Sequence, residues 1–182
     1  MKFCLLIILS LSIYAEKTSL HPYEILVCDY LKFELYKVDR QGKIIWQHKP
    51  EGKVWDFVLT KDTKLIYPII TGPREIRCLN MKKEILWSWP YAKEYREIIN
   101  ITQDKSQLII SGQKPSEAII MTTEGELKHK TDIPTKFHSH HGELGNVYPL
   151  ENGHFLVQLW GEGCVLELDH KGKETWRYQV PQ

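Results

Sequence analysis

The sequence predicts an all-β fold built from about four copies of a four-stranded antiparallel unit. Two observations predict it. A polar turn of one kind recurs four times along the chain, at intervals of 41, 42 and 47 residues. An apolar run precedes each of these turns by roughly fourteen residues, and a second polar turn precedes three of the four runs. A repeat of about 40–50 residues that contains several short strands is typical of a β-propeller blade.

Each recurring turn opens on a short polar side chain. The four copies open at Asp39, Asn80, Thr122 and Asp169. The position three residues later is filled by Gly42, Lys83, Gly125 and Gly172. An Asp or Asn side chain can hydrogen-bond the main chain ahead of it, and a glycine can adopt a positive φ without steric cost. Because Lys83 lacks that freedom, we expect the second turn to be strained or of another type.

A large ring follows each turn. Seven residues after the opening position stand Trp46, Trp87, His129 and Trp176. This position falls within the next predicted strand, where an aromatic side chain can cover the face of the neighbouring sheet. No single copy can bury both of its faces, so we expect the copies to stack radially around a shared core.

The strand pattern divides the chain into blades at about 25–60, 65–103, 108–150 and 155–180, within a propeller domain of residues 16–182. The fourth blade stops after three predicted strands, so we expect an incomplete last blade in a partial or small ring. Residues 17–24 could supply the missing strand, or two chains could self-associate through their open blade edges. We favour a third interpretation, in which the sequence is the front part of a longer propeller.

The first fifteen residues have a different character. Lys2 provides a positive start, Phe3 to Leu11 is an apolar run, and Ala15 is a small residue suited to cleavage. This pattern is typical of a secretory signal peptide, and the run is too short for a membrane span. We therefore predict a secreted or periplasmic protein that is cut near Ala15.

Charge and cysteine usage exclude several classes of function. The formal net charge is +1, with no block of like charges, so a nucleic-acid surface is not expected. Cys28, Cys78 and Cys164 lack the spacing of a zinc site and lie in apolar strand patterns. Because Cys4 lies within the predicted signal peptide, the mature chain keeps three of the four cysteines, which cannot all pair, and a Cys28–Cys78 bridge remains open.

The repeat resembles the quinoprotein-like (PQQ-like) β-propeller repeat. The resemblance rests on Val38 to Trp46, Leu168 to Trp176 and Leu150 to Val157, and it extends over residues 25 to 180. It implies a propeller fold, and the family includes dehydrogenases as well as assembly scaffolds. The enzymes of the family use a vicinal cysteine pair and calcium-binding carboxylates, which this sequence lacks, so no cofactor is expected.

One polar cluster stands out from the repeats, in the longest interval between turns. The cluster runs through His138, Ser139, His140, His141, Gly142 and Glu143. His138, His140 and Glu143 are candidate ligands for a divalent metal, since two imidazoles two residues apart share one face of an extended segment. A polar loop that connects two blades is the simpler interpretation.

The same cluster is similar over a few residues to the propeller arylsulfotransferases. That resemblance implies a nucleophilic histidine, for which His140 and His141 are the candidates. Two functional hypotheses follow from the sequence. The first is a non-catalytic exported module that binds a protein or a glycan, and the second is an enzyme that uses the His138–Glu143 loop.

Overall fold

The computed structural model of the protein describes residues 24–29, 31–39, 41–136 and 144–181. These residues form fifteen β-strands in four sheets, and every paired strand is antiparallel. The predicted all-β propeller architecture is confirmed, and all fifteen observed strands lie within the residues assigned to predicted blades, except for two residues at strand ends, Asp104 and Gln107. In the described ranges, no helix combines the length and apolar character needed to cross a membrane.

The strands follow one another within each sheet. Sheet 1 contains β1 (Ile25–Asp29), β2 (Glu34–Val38) and β3 (Ile44–His48). Sheet 2 contains β4 (Val54–Leu59), β5 (Leu65–Ile70), β6 (Glu75–Asn80) and β7 (Ile85–Pro90). Sheet 3 contains β8 (Glu97–Asp104), β9 (Gln107–Gln113), β10 (Glu117–Thr122) and β11 (Leu127–Asp132). Sheet 4 contains β12 (Val147–Pro149), β13 (Phe155–Leu159), β14 (Cys164–Leu168) and β15 (Glu174–Gln179).

The strands divide into blades differently from the predicted boundaries. The prediction assigned the strand near 54–60 to the first blade, whereas β4 pairs with β5 in sheet 2. The reason is the short polar turn at 61–64, where the Thr60 N–H bonds the Leu65 carbonyl at 3.0 Å and closes a tight hairpin. In the same way, β8 pairs with β9 in sheet 3 and β12 pairs with β13 in sheet 4, whereas the predicted boundaries placed each of these strands in the preceding blade.

This different grouping of strands also changes which blade is incomplete. Sheet 4 has four strands, so the prediction that the last blade lacks its outermost strand is wrong. Sheet 1 is the one with three strands among the described residues. The predicted signal peptide at 1–15 and the segment 17–23 lie outside those residues.

The recurring turns have the geometry that their residue types predict. Asp39 Oδ1 accepts hydrogen bonds from the N–H groups of Gln41 and Lys43, at 3.0 and 2.8 Å. The equivalent pairs of bonds are accepted by Asn80 Oδ1, Thr122 Oγ1 and Asp169 Oδ1. The strand before each turn carries a register shift, so each turn joins its two strands through a β-bulge.

The fourth position of every turn has a positive φ. The angle is 77° at Gly42, 91° at Gly125 and 81° at Gly172. Lys83 adopts the same conformation, with a φ of 70°. The expectation of strain in the second turn is therefore confirmed, because an L-residue is disfavoured in the left-handed region.

The ring that follows each turn couples its sheet to the next one. Trp46 Nε1 donates to the carbonyl of Met81 at 2.8 Å, and Trp87 Nε1 donates to the carbonyl of Thr123 at 2.9 Å. In the third copy His129 Nε2 lies 3.1 Å from the carbonyl of His170 and donates when that nitrogen carries the proton. In all three cases the acceptor is the first residue after the opening position of the next turn. The predicted covering role is thus confirmed for Trp46 and Trp87, which pack against the buried layers. His129 is exposed and, among the described residues, makes only the polar contact.

An apolar layer fills each space between consecutive sheets. Between sheets 1 and 2 the fully buried residues are Leu35, Val54, Ile66 and Leu79. Between sheets 2 and 3 the layer is rich in aromatic rings, which include Tyr67, Trp87, Trp89, Tyr91 and Tyr95. Between sheets 3 and 4 the buried side chains are mostly aliphatic, among them Ile109, Ile120, Leu144, Val157 and Leu166. The sheets therefore form a core by stacking face to face.

The cysteines of the strands contribute to these layers as thiols. Cys28, Cys78 and Cys164 are free, so the open Cys28–Cys78 bridge does not form. Burial raises the pKa of Cys28 and of Cys78 to about 11. Both side chains are therefore neutral at physiological pH, as expected of cysteines that serve as small hydrophobic groups.

Replacing Trp87 with phenylalanine should lower the free energy of unfolding by about 1–2 kcal/mol, because the variant loses the N–H donor to Thr123 and part of the buried ring. Urea denaturation measures this change. Trp160→Phe is the control, since the Trp160 ring is half exposed. We expect that variant to differ from the parent by less than about 0.5 kcal/mol. Equal losses in the two variants would contradict the coupling role.

Replacing Lys83 with glycine should raise the free energy of unfolding by about 0.5–1 kcal/mol, because the positive φ at this position no longer carries a steric cost. Thermal denaturation followed by circular dichroism would show a higher Tm. Lys82→Gly, one position earlier in the same turn, tests the site-specificity and should not stabilise the protein. A decrease in Tm for Lys83→Gly would refute the strain.

Candidate functional site

The rim between sheets 3 and 4 carries two neighbouring clefts. It is formed by the long connection after β11, by the β9–β10 turn and by the β13–β14 turn. The Pro115 cleft has a volume of about 390 Å³. It is lined by Lys114, Pro115, Ser116, Asp132, Ile133, Pro134 and Thr135. The Glu162 cleft has a volume of about 530 Å³. It is lined by Pro134, Thr135, Lys136, Glu162, Glu174 and Arg177.

Glu162 organises the larger cleft. Its Oε1 accepts hydrogen bonds from the Thr135 hydroxyl at 3.0 Å and from the Lys136 N–H at 2.7 Å. Its Oε2 lies 3.4 Å from Nη1 of Arg177. One carboxylate on the β13–β14 turn therefore holds the connection after β11 and the outer strand of sheet 4 together.

Arg177 lines the Glu162 cleft beside this carboxylate. Its Nε and Nη2 donate to the two carboxylate oxygens of Glu174, at 3.0 and 2.8 Å. The Nη1 group also lies 3.2 Å from Cys164 Sγ. A guanidinium that is held in a bidentate pair is fixed in orientation, so the polar wall of the cleft is preorganised.

The charges of the cleft are balanced among its own residues. Burial on its own raises the pKa of Glu162, but the hydrogen bonds from Lys136 and Thr135, with Arg177, outweigh it and hold the pKa below its ordinary value. The hydrogen bond from Arg177 likewise lowers the pKa of Glu174. Both carboxylates are therefore ionised at neutral pH and act as fixed acceptors. The Lys136 ammonium has no ion pair among the residues that the structure describes.

Two buried polar side chains lie on β9, whose end leads into the Pro115 cleft. The structure provides no hydrogen-bond partner to Ser111 Oγ or to either amide atom of Gln113, within the described ranges. Both side chains are almost completely buried, and Gln113 directly precedes the cleft residue Lys114. Buried polar atoms are usually satisfied by protein, water or ligand. This end of β9 therefore has unused hydrogen-bonding capacity.

The predicted histidine cluster follows the cleft residue Lys136 in the sequence. His138, His140, His141 and Glu143 lie outside the described residues, so the metal and nucleophile roles stay predictions. The chain enters this segment directly after Lys136 of the Glu162 cleft and leaves it before the buried Leu144. No group of three potential metal ligands is found within the part of the chain that the structure describes.

Sequence reasoning did not anticipate the Glu162 cleft. The Trp160–Cys164 segment reads as a hairpin turn, and the bond from the Gly163 N–H to the Trp160 carbonyl at 3.1 Å agrees with this. The role of Glu162 within that turn depends on partners that are 15 and 27 residues away. No local pattern marks such a long-range network.

Comparisons with solved structures show the fold alone. A protein of unknown function from Bacteroides caccae superposes with a TM-score of 0.73 at 17% identity, over 88% of this chain and 59% of that one. A streptogramin B lyase superposes with a TM-score of 0.67 at 15% identity, over 87% of this chain and 51% of the lyase. Virginiamycin B lyase from Staphylococcus aureus gives a TM-score of 0.68 at 12% identity, over 90% and 54%.

The two lyases are β-propeller proteins, and this chain is therefore a β-propeller chain. It spans just over half the length of the three proteins that it matches. No family model and no curated protein sequence matches it.

Replacing Glu162 with glutamine should destabilise the protein by about 1 kcal/mol at neutral pH, because charge-assisted bonds become neutral ones. The folded-state pKa of Glu162 is lowered, so its contribution is complete above the ordinary value of 4.5 and is lost as the pH falls through the lowered pKa. The difference between the parent and Glu162→Gln should therefore shrink below pH 4.5. Urea denaturation over a pH series measures it.

Glu151→Gln serves as the control for this pH series, since Glu151 is an exposed glutamate of the turn before β13. That variant should follow the parent at every pH. A difference for Glu162→Gln that does not change with pH would contradict the role of the ionised carboxylate.

Proposed function

We propose that this chain is an exported, non-catalytic binding module that holds a protein or glycan ligand at the rim between sheets 3 and 4. The observation that carries the proposal is the Glu162 network, which fixes Thr135, Lys136 and Arg177 around an open cleft of about 530 Å³. Volumes of about 300–1,000 Å³ are usual for ligand sites. Propellers and other rigid scaffolds commonly bind through the loops at one rim.

The chemistry of the cleft favours a ligand rich in hydroxyl or amide groups. The carboxylates of Glu162 and Glu174 are ionised acceptors, and Arg177 already neutralises much of their charge. A strongly charged ligand would have to compete with these internal pairs. Neutral donors and acceptors, such as sugar hydroxyls or a peptide main chain, can add to the network without breaking it.

Two further parts of the proposal rest on the sequence. The apolar run after Lys2 and the small residue Ala15 support export by a cleaved signal peptide. The turn-and-tryptophan repeats support assignment to the PQQ-like type without its cofactor chemistry. The confirmed geometry of the Asp39 and Asp169 turns is consistent with that assignment.

Screening the full chain against an oligosaccharide array and a displayed peptide library tests this function. The strongest binder is then titrated against Lys136→Ala, which removes an ammonium from the cleft without breaking an ion pair of a described residue. We expect the dissociation constant to rise by about tenfold or more. Lys171→Ala, at an exposed lysine of a β-turn, should bind as the parent does. Equal affinity of the two variants would place the ligand elsewhere.

A catalytic assay tests the alternative hypothesis, in which the protein is an enzyme that uses the histidine cluster. The full chain is incubated with an aryl sulfate donor and a phenolic acceptor, alongside His140→Ala and His141→Ala. The binding proposal expects no turnover above background in any of the three proteins. Turnover by the parent that disappears in either variant would refute a non-catalytic role and support the histidine-cluster enzyme.

A further inference from the structure

The layer between sheets 3 and 4 contains a group of buried polar atoms that have no partners. Among the described residues, five buried side-chain nitrogen and oxygen atoms lack a hydrogen-bond partner, and four of the five belong to Asn100, Ser111 and Gln113. These four atoms are Asn100 Oδ1, Ser111 Oγ, and Oε1 and Nε2 of Gln113. Buried polar atoms are usually paired, so their concentration in two neighbouring strands requires a physical cause. We call these three residues the Gln113 cluster.

The strand register places the three side chains of the Gln113 cluster together. Asn100 pairs with Ser111 across β8 and β9. Paired residues lie on the same side of a sheet, and so do residues two apart in one strand, such as Ser111 and Gln113. Ser111 also pairs with Ala118, which belongs to the layer between sheets 3 and 4. The Gln113 cluster therefore lies on the side of sheet 3 that faces sheet 4.

The Gln113 cluster lies at the inner end of the Pro115 cleft. Gln113 and Ser116 stand directly before and after the Lys114–Pro115 tip of the β9–β10 turn, and Ser116 lines the cleft. The Ile133 N–H bonds the Ser116 carbonyl at 2.9 Å. Ile133 lines the same cleft and packs into the layer between sheets 3 and 4. The cleft wall formed by Ser116 and Ile133 thus continues inward to Gln113 and then to Ser111.

The amide of Asn100 is held in one orientation. Its Nδ2 donates to Asp56 Oδ2 at 2.9 Å, and the Ile101 N–H donates to the same oxygen at 3.1 Å. A carboxylate oxygen accepts hydrogen bonds, so it holds the NH2 end of the Asn100 amide toward sheet 2. The other end of the amide, Asn100 Oδ1, is therefore left as a buried acceptor without a donor.

The unpaired atoms of the Gln113 cluster form a set of two acceptors and two donors. The acceptors are Asn100 Oδ1 and Gln113 Oε1, and the donors are Gln113 Nε2 and the Ser111 hydroxyl. A primary carboxamide carries the reciprocal set, because its NH2 group has two N–H donors and its carbonyl oxygen accepts two hydrogen bonds. A bound carboxamide would leave none of the four atoms unpaired.

Other polar groups match the Gln113 cluster less well. A carboxylate has no donor, so both acceptors of the cluster would face a buried negative charge, which is costly without a paired cation. An ammonium group has no acceptor and leaves both donors of the cluster unpaired. The acetamido group of an amino sugar has a single N–H, so one acceptor stays unpaired. The cluster therefore favours a peptide side-chain amide over a glycan.

We propose that the Gln113 cluster binds the side-chain carboxamide of a glutamine in a peptide ligand. This inference rests on the proposed function, since it specifies the ligand that is held at the rim between sheets 3 and 4. The ligand carbonyl accepts from Gln113 Nε2 and the Ser111 hydroxyl, and the ligand NH2 donates to Gln113 Oε1 and Asn100 Oδ1. A glutamine suits this site better than an asparagine, because the cluster lies behind the cleft wall and the longer side chain reaches further.

The free protein keeps this site closed. Ser111 and Gln113 are 0% and 1% exposed, and Ile133 of the cleft wall is 4% exposed. A glutamine side chain can enter only when the side chains of Gln113 and Ile133 change rotamer. The apparent affinity falls in proportion to the population of the open state, whereas the preference for a carboxamide is unaffected. We therefore expect a single glutamine residue to bind weakly but selectively.

Titration of the isotope-labelled full chain with Nα-acetylglutamine methylamide, followed by NMR, tests the inference. This probe should bind about tenfold or more tightly than its glutamate and methionine analogues, which replace the carboxamide with a charge or with an apolar group of similar size. N-acetylglucosamine should bind more weakly than the glutamine probe. The inference is overturned if the glutamine probe does not bind, if all four compounds bind equally, or if the sugar binds most tightly.

Ser111→Ala and Gln113→Met should each weaken binding of the glutamine probe by about tenfold, because each removes hydrogen-bonding atoms while nearly preserving the side-chain volume. Gln107→Met is the matched control, since Gln107 is an exposed glutamine of the same strand. It should bind the probe as the parent does. Unchanged affinity in both cluster variants, or an equal loss in the control, would contradict the proposed site.

The thermal stability of the free variants provides a readout that needs no ligand. Ser111→Ala and Gln113→Met remove polar atoms that the free protein buries without partners, so each should raise the Tm by about 2 °C. Ser88→Ala is the contrasting control, because the Ser88 hydroxyl donates to Glu75 at 2.9 Å, and it should not raise the Tm. A lower Tm in both cluster variants would show that ordered water already satisfies these atoms, and it would overturn the inference.

The carboxamide site and the proposed function can fail separately. Lys136→Ala should bind the glutamine probe as the parent does, because Lys136 lines the Glu162 cleft and not the Pro115 cleft. A library screen without any binder, beside a glutamine probe that binds through Gln113, would refute binding at the Glu162 cleft alone. A screen that yields a binder, beside a glutamine probe that does not bind, would refute the carboxamide site alone. Circular dichroism checks the fold of each variant, and either cluster variant suffices for the test if the other is unfolded.

Discussion

Three of the four recurring turns, those opened by Asn80, Thr122 and Asp169, each place one backbone carbonyl within reach of the outer strand of the sheet before them. The carbonyls of Met81, Thr123 and His170 fill this role. A carbonyl can hold such a position only if the turn around it is rigid. The turns are rigid because a side-chain oxygen binds two N–H groups and because the fourth residue adopts a positive φ. Local turn chemistry thereby determines how whole sheets are spaced.

Two of these three turn carbonyls also accept from a second donor. Thr123 accepts from Trp87 Nε1 at 2.9 Å and from the Tyr67 hydroxyl at 3.4 Å. His170 accepts from the Thr131 hydroxyl at 3.2 Å in addition to His129. Every sheet therefore depends directly on its neighbours in the stack. Stability in such an arrangement is close to a sum of sheet and interface contributions, so an end that lacks a neighbour loses a whole interface.

The sequence predicted the strands and the turns well because their signals are local. Each recurring hairpin has a short polar residue at its start. In most copies a glycine follows three residues later and an aromatic ring follows seven residues later, so the hairpin can be identified from a short stretch of sequence. The assignment of strands to blades was less successful, since a repeat can be divided at any point without changing its period. The short turns at 61–64, 103–106 and 151–154 contained the missing information, because each one forces its two flanking strands to pair.

The candidate site was harder to predict than the fold. Glu162 acquires its role from Thr135, Lys136 and Arg177, which come together only after sheets 3 and 4 have stacked. A sequence motif such as the histidine cluster is visible because its members are adjacent in the chain. A charge network between a turn, a connection and an outer strand has no such signature.

The interfaces between sheets are unequal in a way that affects the rim. Aromatic rings dominate the layer between sheets 2 and 3, whereas the layer between sheets 3 and 4 is largely aliphatic and has an imidazole, His129, in place of an indole. Large flat rings interlock and resist sliding, while branched aliphatic side chains can accommodate small displacements by changing rotamer. The layer beneath the Glu162 cleft therefore holds its two sheets together with fewer ring contacts than the layer between sheets 2 and 3. A ligand at this rim would rest on a layer whose packing depends on branched aliphatic side chains.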